Sequence, residues 1–340
     1  MKLSARLRPL PLLGKKPELG RVYSEIRADL DRVERKLRDL SRSSVRLISE
    51  VGGYLFQKSG KRIRPALVLL CSKAFGARDA ERIMLSSLVE LVHTASLIHD
   101  DIVDNAGIRR GKESVHAKWG PNITVLLGDY LYIKSIGLSL QSRHDRVIRL
   151  LADVSARLIE GELDEYALSG DPGVTEGQYL NIVENKTAVL FAACCRIGAV
   201  LGLASPEEEE AVASFGLNLG TTFQIVDDLL DFTGDPSALG KPVLTDIAEG
   251  RVTLPLIHAL RTGDRARRRR LEVLVGRKDA SAGERKALLA DLAACGAFEY
   301  AGRKARDYAE RSLEFLNRFP ESTARETLIR LTVFILTRNR

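Results

Sequence analysis

Apolar residues recur along most of the chain at the three-to-four-residue spacing that places side chains on one side of an α-helix. One such run near the N-terminus consists of Ile26, Leu30, Val33, Leu37 and Leu40. No sustained alternation of apolar and polar residues, which is typical of a β-strand, interrupts these runs. The pattern predicts an all-α protein of about ten helices, joined by short turns that glycine or proline marks.

Two helix starts are predicted from capping residues. Ser205 precedes a proline and four glutamates, which favours a helix that begins directly after Ser205. Thr175 stands three residues before Gln178, the spacing of a capping box. The apolar run over residues 187–204 carries Arg196 at its middle, so it predicts a buried helix rather than a membrane span.

The chain is expected to fold as one domain with a loose tail. No glycine-, serine- or proline-rich linker divides it, so residues 21–340 are predicted to form a single helical domain after a loose basic tail of residues 1–20. Three prolines in the tail break its short apolar stretch, which argues against a signal peptide and favours a cytoplasmic protein. The arginine run over residues 267–270 lies between two helical patterns and predicts a solvated loop without function.

Composition and charge narrow the choice of ligand. The 340 residues carry 52 Lys and Arg against 45 Asp and Glu, a formal net charge of +7, and 45% of them are hydrophobic. This composition allows a sizeable core and excludes the disordered classes. Aromatic residues make up only 6%, so a surface that stacks nucleic-acid bases is not expected. The mild positive charge points instead to small anionic ligands.

One acidic pattern, Asp-Asp-x-x-Asp, occurs twice, each time within an apolar helical stretch. The first copy spans residues 100–104 and the second spans residues 227–231. On a helix, the first and last aspartates of each copy project from the same side, so three carboxylates crowd one face. Such crowding calls for a cation, and Mg²⁺ takes one or two carboxylates together with waters and substrate phosphates. A solvated helix end would explain one copy, but apolar neighbours around both copies predict a cleft.

Basic residues accompany the first acidic motif. The segment GKRIRP, residues 60–65, is a compact basic loop that enters a helix, and RRGK, residues 109–112, follows the motif. Arginine offers a planar fork for phosphate oxygens and lysine a mobile charge, so both clusters can bind phosphate. His93, seven residues before Asp100, is either a structural residue or a further phosphate ligand. Together these groups predict a diphosphate that is held from two sides.

In this order, the motifs resemble those of the trans-type isoprenyl diphosphate synthases, also called polyprenyl synthetases, and most of all those that make octaprenyl and other medium-to-long chains. The resemblance covers about residues 51–255 and rests on GKRIRP, HTASLIHDDIVD, RRGK, ENKT, FQIVDDLLDFTGD and LGKP. It implies a single all-α bundle around a deep cavity, usually as a homodimer. It also implies condensation of isopentenyl diphosphate with an allylic diphosphate, with farnesyl diphosphate as the expected starter, through successive ionisation, condensation and elimination.

The resemblance also implies roles for single residues. The isopentenyl diphosphate site would consist of Lys61, Arg64, His93 and Arg110. The allylic diphosphate site would consist of Arg109, Lys186, Thr187, Gln224 and Lys241, and Arg251 would help to close it. Mg²⁺, as three ions that Mn²⁺ can replace, would be held by Asp100, Asp101, Asp104, Asp227, Asp228 and Asp231. All of these aspartates except Asp231, together with Lys186, are the expected catalytic residues.

The length of the product should depend on the residues beneath the first aspartate motif, where the growing chain would run between helices. Ala95 and Ser96 stand there, whereas members of the family that make short products commonly carry a bulky aromatic residue at one of these positions. Small residues imply an open tunnel, and we expect a medium or long product, about octaprenyl in length. Ile133, Ile136 or Leu140 would form the tunnel floor or, equally, belong to an ordinary core.

Other functions stay open at this point. A geranylgeranyl synthase would share every motif, and a class I terpene cyclase would also ionise an allylic diphosphate but would bind no second diphosphate. A non-catalytic partner subunit would generally lack aspartates of one motif, and both motifs are complete. The basic tail could make transient contact with an anionic membrane surface, which would suit release of an apolar product, although its prolines favour disorder.

Overall fold

The computed structural model describes residues 18–57, 60–77, 80–109, 111–234 and 243–338. Within these ranges the chain forms seventeen α-helices and one short antiparallel hairpin, so the all-α prediction is confirmed. The helices outnumber the predicted ten in part because three of them have only four or five residues. Most of the predicted basic tail, residues 1–17, lies outside the described residues, as do the interpretations that depend on it.

The first half of the chain contributes eight α-helices and the hairpin. Its helices are α1 (Leu19–Val22), α2 (Arg27–Leu40), α3 (Arg46–Leu55), α4 (Ile63–Ala74), α5 (Glu81–Val103), α6 (Val115–Trp119), α7 (Pro121–Ser139) and α8 (Asp145–Leu168). A 3₁₀ turn over Tyr23–Ile26 joins α1 to α2. The hairpin strands β1 (Ile108–Arg109) and β2 (Lys112–Glu113) directly follow α5.

The second half contains the longest helix and the C-terminal helices. They are α9 (Glu176–Val183), α10 (Val189–Leu201), α11 (Pro206–Thr233), α12 (Thr245–Ala248), α13 (Leu254–Thr262), α14 (Arg265–Leu274), α15 (Ala282–Ala294), α16 (Ala297–Leu316) and α17 (Thr323–Thr337). A single π-helical turn over Glu184–Ala188 joins α9 to α10.

Both predicted helix starts are confirmed as complete capping boxes. The Glu208 backbone N–H donates to the Ser205 hydroxyl at 3.2 Å, and the Ser205 N–H donates to the Glu208 carboxylate at 2.7 Å. Thr175 and Gln178 exchange the equivalent bonds at the start of α9. Each box satisfies helix N–H groups that would otherwise lack a partner. Residues 187–204 also follow the prediction, because α10 is buried along most of its length.

The core holds α11, and with it the second aspartate motif, against α10. At Gly216 on α11, a Cβ atom would lie 2.7 Å from the Cα atom of Ala192 on α10, so only glycine permits this close approach of the two helices. Phe191 and Phe215 are the largest fully buried side chains near this contact. No helix within the described ranges is both long and apolar enough to cross a membrane.

The prediction of a loop over residues 267–270 is wrong. The four arginines lie within α14, which begins after Asp264, whose carboxylate accepts the Arg267 backbone N–H at 2.8 Å. Arg270 pairs with Asp291 on the neighbouring helix α15, and buried Leu271 anchors the helix to the core. The capping carboxylate, the ion pair and the apolar anchor together offset the repulsion between like charges on the helix.

Candidate active site

The two aspartate motifs meet at one cavity of about 2320 Å³. The C-terminal end of α5 brings the first motif to it, and the C-terminal part of α11 brings the second. The loop before α4 and the first turn of α4 supply Lys61, Arg62 and Arg64, and the π-helical turn supplies Lys186. The sequence-predicted residues that line this cavity are Lys61, Arg64, His93, Ser96, Asp100, Asp104, Arg109, Lys186, Thr187, Gln224, Asp227 and Arg251.

Cations from two loops contact the first motif. Arg109 in β1 donates through Nε to the carboxylate of Asp101, whose residue is only 2% exposed. Arg251 donates through Nη1 to both oxygens of Asp104, at 3.2 and 3.3 Å. Asp100 has a different environment, because burial and the neighbouring Glu162 carboxylate raise its pKa to about 7. A cation that binds beside this carboxyl group would lower its pKa and favour the ionised form.

Neutral donors surround the middle aspartate of the second motif. The Tyr179 hydroxyl donates to Asp228 Oδ2 at 2.6 Å, and Gln224 Nε2 donates to Oδ1 at 2.8 Å. Burial and the nearby Asp246 carboxylate raise the pKa of Asp228 to about 8. Asp228 lines a smaller cavity of about 240 Å³ that shares many of its residues with the main one. The carboxylate is thus fixed in orientation before any ligand binds.

The first and last aspartates of the second motif differ in their exposure to the cavity. Asp227 lines the cavity and accepts a hydrogen bond from Arg338 Nη2 at 2.8 Å. Asp231 is 1% exposed, does not line the cavity, and accepts the Asp246 backbone N–H at 3.1 Å through Oδ2. Three carboxylates of the second motif therefore do not share one face of the cavity, and a metal-binding role for Asp231 remains a prediction.

Two of the predicted allylic residues, Thr187 and Gln224, form a continuous hydrogen-bond network with the second motif. Thr187 Oγ1 donates to Gln224 Oε1 at 2.8 Å, and Gln224 in turn donates to Asp228. Lys186 lies on the π-helical turn, a feature that often marks functional sites. The turn packs against α8 so closely that a Cβ at Gly161 would lie 2.6 Å from the Lys186 backbone nitrogen.

Two glutamates of α8 hold the Lys186 ammonium group. Its Nζ atom lies 2.6 Å from a Glu162 oxygen and also contacts Glu165. Burial alone would lower the pKa of Lys186, but Glu165 and Glu162 raise it, so the amine stays protonated. A fixed cation therefore lies beside Asp100, whose carboxylate also contributes to the raised pKa.

Arg64 and His93 meet at another part of the cavity. Arg64 Nη1 lies 2.9 Å from His93 Nε2, and its guanidinium lies 5.0 Å from the centre of the Phe191 ring. A guanidinium can only donate, so the imidazole accepts at Nε2. Lys61 lines the same cavity three residues before Arg64. These positions fit a second anion site, away from the Lys186 network.

Some predicted residues lie elsewhere or outside the described ranges. Arg110 and Lys241 belong to the residues that the structure does not describe. Ser96 lines the cavity, whereas Ala95 is fully buried and does not. The interpretation of Ile133, Ile136 and Leu140 as core residues is wrong, because they are 66%, 51% and 66% exposed; of the three, Ile133 lines the cavity.

Sequence reasoning missed several residues that shape the site. Glu162, Glu165, Tyr179 and Arg338 all contact predicted site residues. Tyr179 occupies an ordinary apolar helix position, and nothing near it in the sequence indicates a carboxylate partner. Arg338 stands more than a hundred residues after Asp227, so only the fold shows their contact. Glu162 and Glu165 lie on helix α8 among several other charged residues, so the sequence does not distinguish them.

The donor set suits a hard divalent cation that is shared with a diphosphate. Among the described residues, no three potential ligand side chains converge on one point. Mg²⁺ commonly takes only one or two carboxylates and completes its shell with water and phosphate oxygens. Asp100, Asp104 and Asp227, all lining the cavity, fit that mode of binding.

An all-α bundle with two aspartate motifs and basic groups around one cavity defines an isoprenoid-synthase type of prenyltransferase. The family model described as "Polyprenyl synthetase" matches residues 45–292. The chain therefore belongs to the polyprenyl synthetase family and is a trans-prenyltransferase. Members of this family act on prenyl diphosphates and depend on a divalent metal.

Characterised relatives cover almost the whole chain. The octaprenyl diphosphate synthase of Haemophilus influenzae is 34% identical over 314 residues, 92% of this chain and 94% of that protein. A short chain isoprenyl diphosphate synthase of Methanothermobacter thermautotrophicus is 35% identical over 94% of this chain and 98% of its own length. A polyprenyl synthase structure from Caulobacter crescentus, complexed with calcium and isoprenyl diphosphate, superposes with a TM-score of 0.92 at 33% identity, covering 96% of this chain and 99% of its own.

Proposed function

We propose that the enzyme extends farnesyl diphosphate with isopentenyl diphosphate in successive Mg²⁺-dependent steps and makes a medium-to-long all-trans product, about octaprenyl in length. The observation that carries this proposal is the single cavity of about 2320 Å³, which joins acidic, basic and apolar side chains. One cavity of this kind can hold two diphosphates and a growing hydrocarbon chain.

Two groups of basic and polar residues are proposed to hold the two substrates. Isopentenyl diphosphate would lie against Lys61, Arg64 and His93, with Arg110 as a further ligand. The allylic diphosphate would lie between the aspartate motifs and the set Arg109, Lys186, Thr187, Gln224 and Lys241. The ammonium of Lys186 is fixed by its glutamate partners, so it offers a charge that needs no rearrangement when the leaving diphosphate becomes more negative.

The metal is proposed to be Mg²⁺, as three ions in the complex with diphosphate, with Mn²⁺ able to replace it. Asp100, Asp104 and Asp227 would hold it directly, and Tyr179 and Gln224 would keep Asp228 oriented for the same task. When bound, the metal neutralises charge on the departing diphosphate. Asp101 and Asp231 remain proposed ligands that would have to leave their present partners, Arg109 and the Asp246 backbone.

The chain itself has to exclude water from the allylic cation. Leu97 and Phe223 line the cavity beside the predicted diphosphate groups and supply apolar walls. No side-chain nucleophile is needed, because the alkene of isopentenyl diphosphate attacks the cation and the released diphosphate takes the proton. Apolar walls prevent capture of the cation by water.

Product length is proposed to depend on Ser96, the small residue that lines the cavity beneath the first motif. We predict that Ser96→Phe shortens the main product by several isoprene units, because a bulky ring blocks the path of the chain. Ser96→Ala, which stays small, should give the wild-type products. Ala95→Phe is the weaker test, since Ala95 is fully buried and a larger side chain would disturb core packing.

The activity can be tested directly. Purified protein would be incubated with Mg²⁺, farnesyl diphosphate and radiolabelled isopentenyl diphosphate, and the dephosphorylated alcohols would be sized. We expect alcohols of about octaprenyl length. Geranylgeraniol as the end product would show the chain-length proposal to be wrong, while consumption of farnesyl diphosphate without isopentenyl diphosphate would indicate a cyclase. Activity only after addition of another subunit would indicate a partner role.

We also propose that the partner is a second copy of the chain. Helices α7 and α8, with Leu140 directly after α7, expose large apolar side chains that do not line the cavity: Leu126, Ile136, Leu140 and Tyr166. Exposed apolar faces of this kind indicate an association surface, and a twofold pair would bury the same face on both copies. Light scattering should give a dimer for the wild type and a monomer for Leu126→Glu combined with Ile136→Glu. A monomeric wild type would overturn this part of the proposal.

A further inference from the structure

Arg62 stands between two of the proposed diphosphate ligands, Lys61 and Arg64, in the loop that begins α4. Its backbone is left-handed, with φ 50° and ψ 36°, a conformation that residues with a Cβ atom rarely adopt. Its carbonyl accepts the Ala66 backbone N–H at 3.0 Å, so the same residue also begins the helix. A residue held in an unfavourable conformation needs other contacts that fix it there.

The Arg62 side chain supplies those contacts. Nε donates to Glu34 Oε1 at 2.6 Å and Nη2 donates to Glu34 Oε2 at 3.2 Å, while Nη1 contacts Glu90. The side chains of Arg62, Glu34 and Glu90 are 6%, 14% and 4% exposed. All three nitrogen atoms of the guanidinium are thus directed to carboxylates from two helices, α2 and α5. We call this group the Arg62 clasp.

The clasp is joined to the proposed isopentenyl diphosphate site. Glu90 lies three residues before His93 on α5, and His93 contacts Arg64 at 2.9 Å. Glu90 therefore anchors the loop to the same segment of helix that carries His93. A charged fork between two helices fixes both the distance and the angle of the loop, which a single bond could not do.

We propose that Arg62 is a positioning residue for isopentenyl diphosphate: the clasp holds the loop so that Lys61, Arg64 and His93 converge on one diphosphate. This inference rests on the proposed function of the site. Arg62 acts through the loop and does not itself bind the substrate, because its side chain is 6% exposed and held by two carboxylates, whereas that of the proposed ligand Arg109 is 32% exposed and held by one. The chemical class recognised is the diphosphate of the homoallylic substrate, not that of the allylic one.

The first test is Arg62→Lys, which keeps the charge and loses the fork. We expect the KM for isopentenyl diphosphate to rise about tenfold, while the KM for farnesyl diphosphate changes less than about twofold and kcat less than about threefold. The matched control is Arg82→Lys, since Arg82 pairs with Asp29 at 3.1 Å between the same two helices with similar burial. Arg82→Lys should lower the unfolding temperature, but it should not raise the KM for isopentenyl diphosphate relative to the KM for farnesyl diphosphate.

The second test uses Glu34→Gln and distinguishes positioning from direct binding by the direction in which the KM for isopentenyl diphosphate changes. If Arg62 bound the substrate, Glu34→Gln would release its guanidinium and lower the KM for isopentenyl diphosphate. If Arg62 positions the loop, Glu34→Gln weakens the clasp, and this KM rises by about threefold. Glutamine keeps the shape and one acceptor, so this variant carries the test should Arg62→Lys fail to fold.

The outcomes separate this inference from the proposed function. Turnover of both substrates by the wild type establishes the proposed function first, and its absence would refute that function alone. With an active wild type, an unchanged KM for isopentenyl diphosphate in Arg62→Lys would overturn the positioning role. A lowered KM in Glu34→Gln, or equal shifts of both KM values, would overturn it as well.

Discussion

The two Asp-Asp-x-x-Asp motifs have the same spacing and reach the same cavity, but their neighbours differ in kind. Arginines from neighbouring loops contact the first motif, Arg109 at Asp101 and Arg251 at Asp104. At the second motif, a tyrosine hydroxyl and an amide contact Asp228, and a backbone N–H contacts Asp231. A cation contacts the second motif at its first aspartate, where Arg338 donates to Asp227.

This difference shows that one sequence pattern can carry two kinds of site. Arginines at the first motif can exchange a carboxylate for a phosphate oxygen when substrate arrives, since both are anions of similar geometry. The neutral donors at the second motif have no such alternative and keep Asp228 in one orientation. The first motif is therefore suited to respond to substrate, and the second is suited to be ready before substrate binds.

The largest expected effect tests whether both motifs are needed. We predict that Asp100→Asn and Asp227→Asn each lower kcat by about 10³-fold, because each removes a carboxylate that would hold the metal, and the metal stabilises the departing diphosphate. Steady-state assays at saturating substrate and Mg²⁺ would measure this. Asp129→Asn is the matched control, because Asp129 also lines the cavity but its side chain is 62% exposed beside His99. A loss at Asp129 as large as that at Asp100 would contradict the assignment.

Asp104 and Asp231 are the last aspartates of the two motifs, so substitutions at these equivalent positions compare the motifs directly. We predict that Asp104→Asn lowers kcat/KM for the allylic substrate by about 10²-fold, because Asp104 lines the cavity and pairs with Arg251. Asp231→Asn should change it less than about threefold, because an amide oxygen can still accept the Asp246 N–H. Equal losses in the two variants would mean that Asp231 turns toward the cavity in the active complex.

A smaller effect tests the neutral donors of the second motif. Tyr179→Phe removes the 2.6 Å hydrogen bond to Asp228, and we expect the Mg²⁺ concentration for half-maximal activity to rise about tenfold. Tyr300→Phe is the control, since the Tyr300 hydroxyl donates to Glu176 at the same distance but neither residue lines the cavity. Unchanged Mg²⁺ dependence in Tyr179→Phe would show that the hydroxyl does not orient the carboxylate.

Features that depend on neighbouring residues or on a repeated motif could be predicted from the sequence, whereas contacts between separate segments could not. Helical periodicity and the boxes at Thr175 and Ser205 depend on neighbours within one turn, so they could be predicted. The aspartate pairs follow from spacing alone. The partners of Asp104 and Asp231 lie outside the local sequence of each aspartate, so the motif itself could not reveal them. The repeated motif predicted equivalent roles for these two aspartates, but packing gives them different surroundings.

The arginine run over residues 267–270 also shows that contacts between separate segments could not be predicted from the sequence. Four like charges argue against a regular helix, yet α14 forms because Asp264 caps it and Asp291 on α15 pairs with Arg270. The cap could have been predicted from Asp264, which stands three residues before Arg267. The ion pair could not, since it joins residues about twenty positions apart on separate helices.

A prediction of a different kind concerns stability and tests the raised pKa values in the two motifs. In the metal-free protein, burial raises the pKa of Asp100 to about 7 and that of Asp228 to about 8, from an ordinary 3.8. The folded state thus keeps protons that the unfolded chain has already released. The free energy of unfolding should therefore fall as pH rises from about 5 to about 8, by at most about 1.4 kcal/mol per pH unit for each carboxyl.

Urea unfolding across this pH range, with chelator present, would measure the decline. Asp228→Asn cannot ionise, so its stability should fall less steeply than that of the wild type, and the difference between the two curves isolates the second motif. Mg²⁺ with inorganic diphosphate should restore more stability at pH 8 than at pH 5, because the ionised carboxylates bind the metal. Parallel curves for the wild type and Asp228→Asn would mean that Tyr179 and Gln224 already compensate the buried charge of Asp228. The two motifs would then differ in the geometry of their hydrogen bonds but not in the free-energy cost of burying a carboxylate.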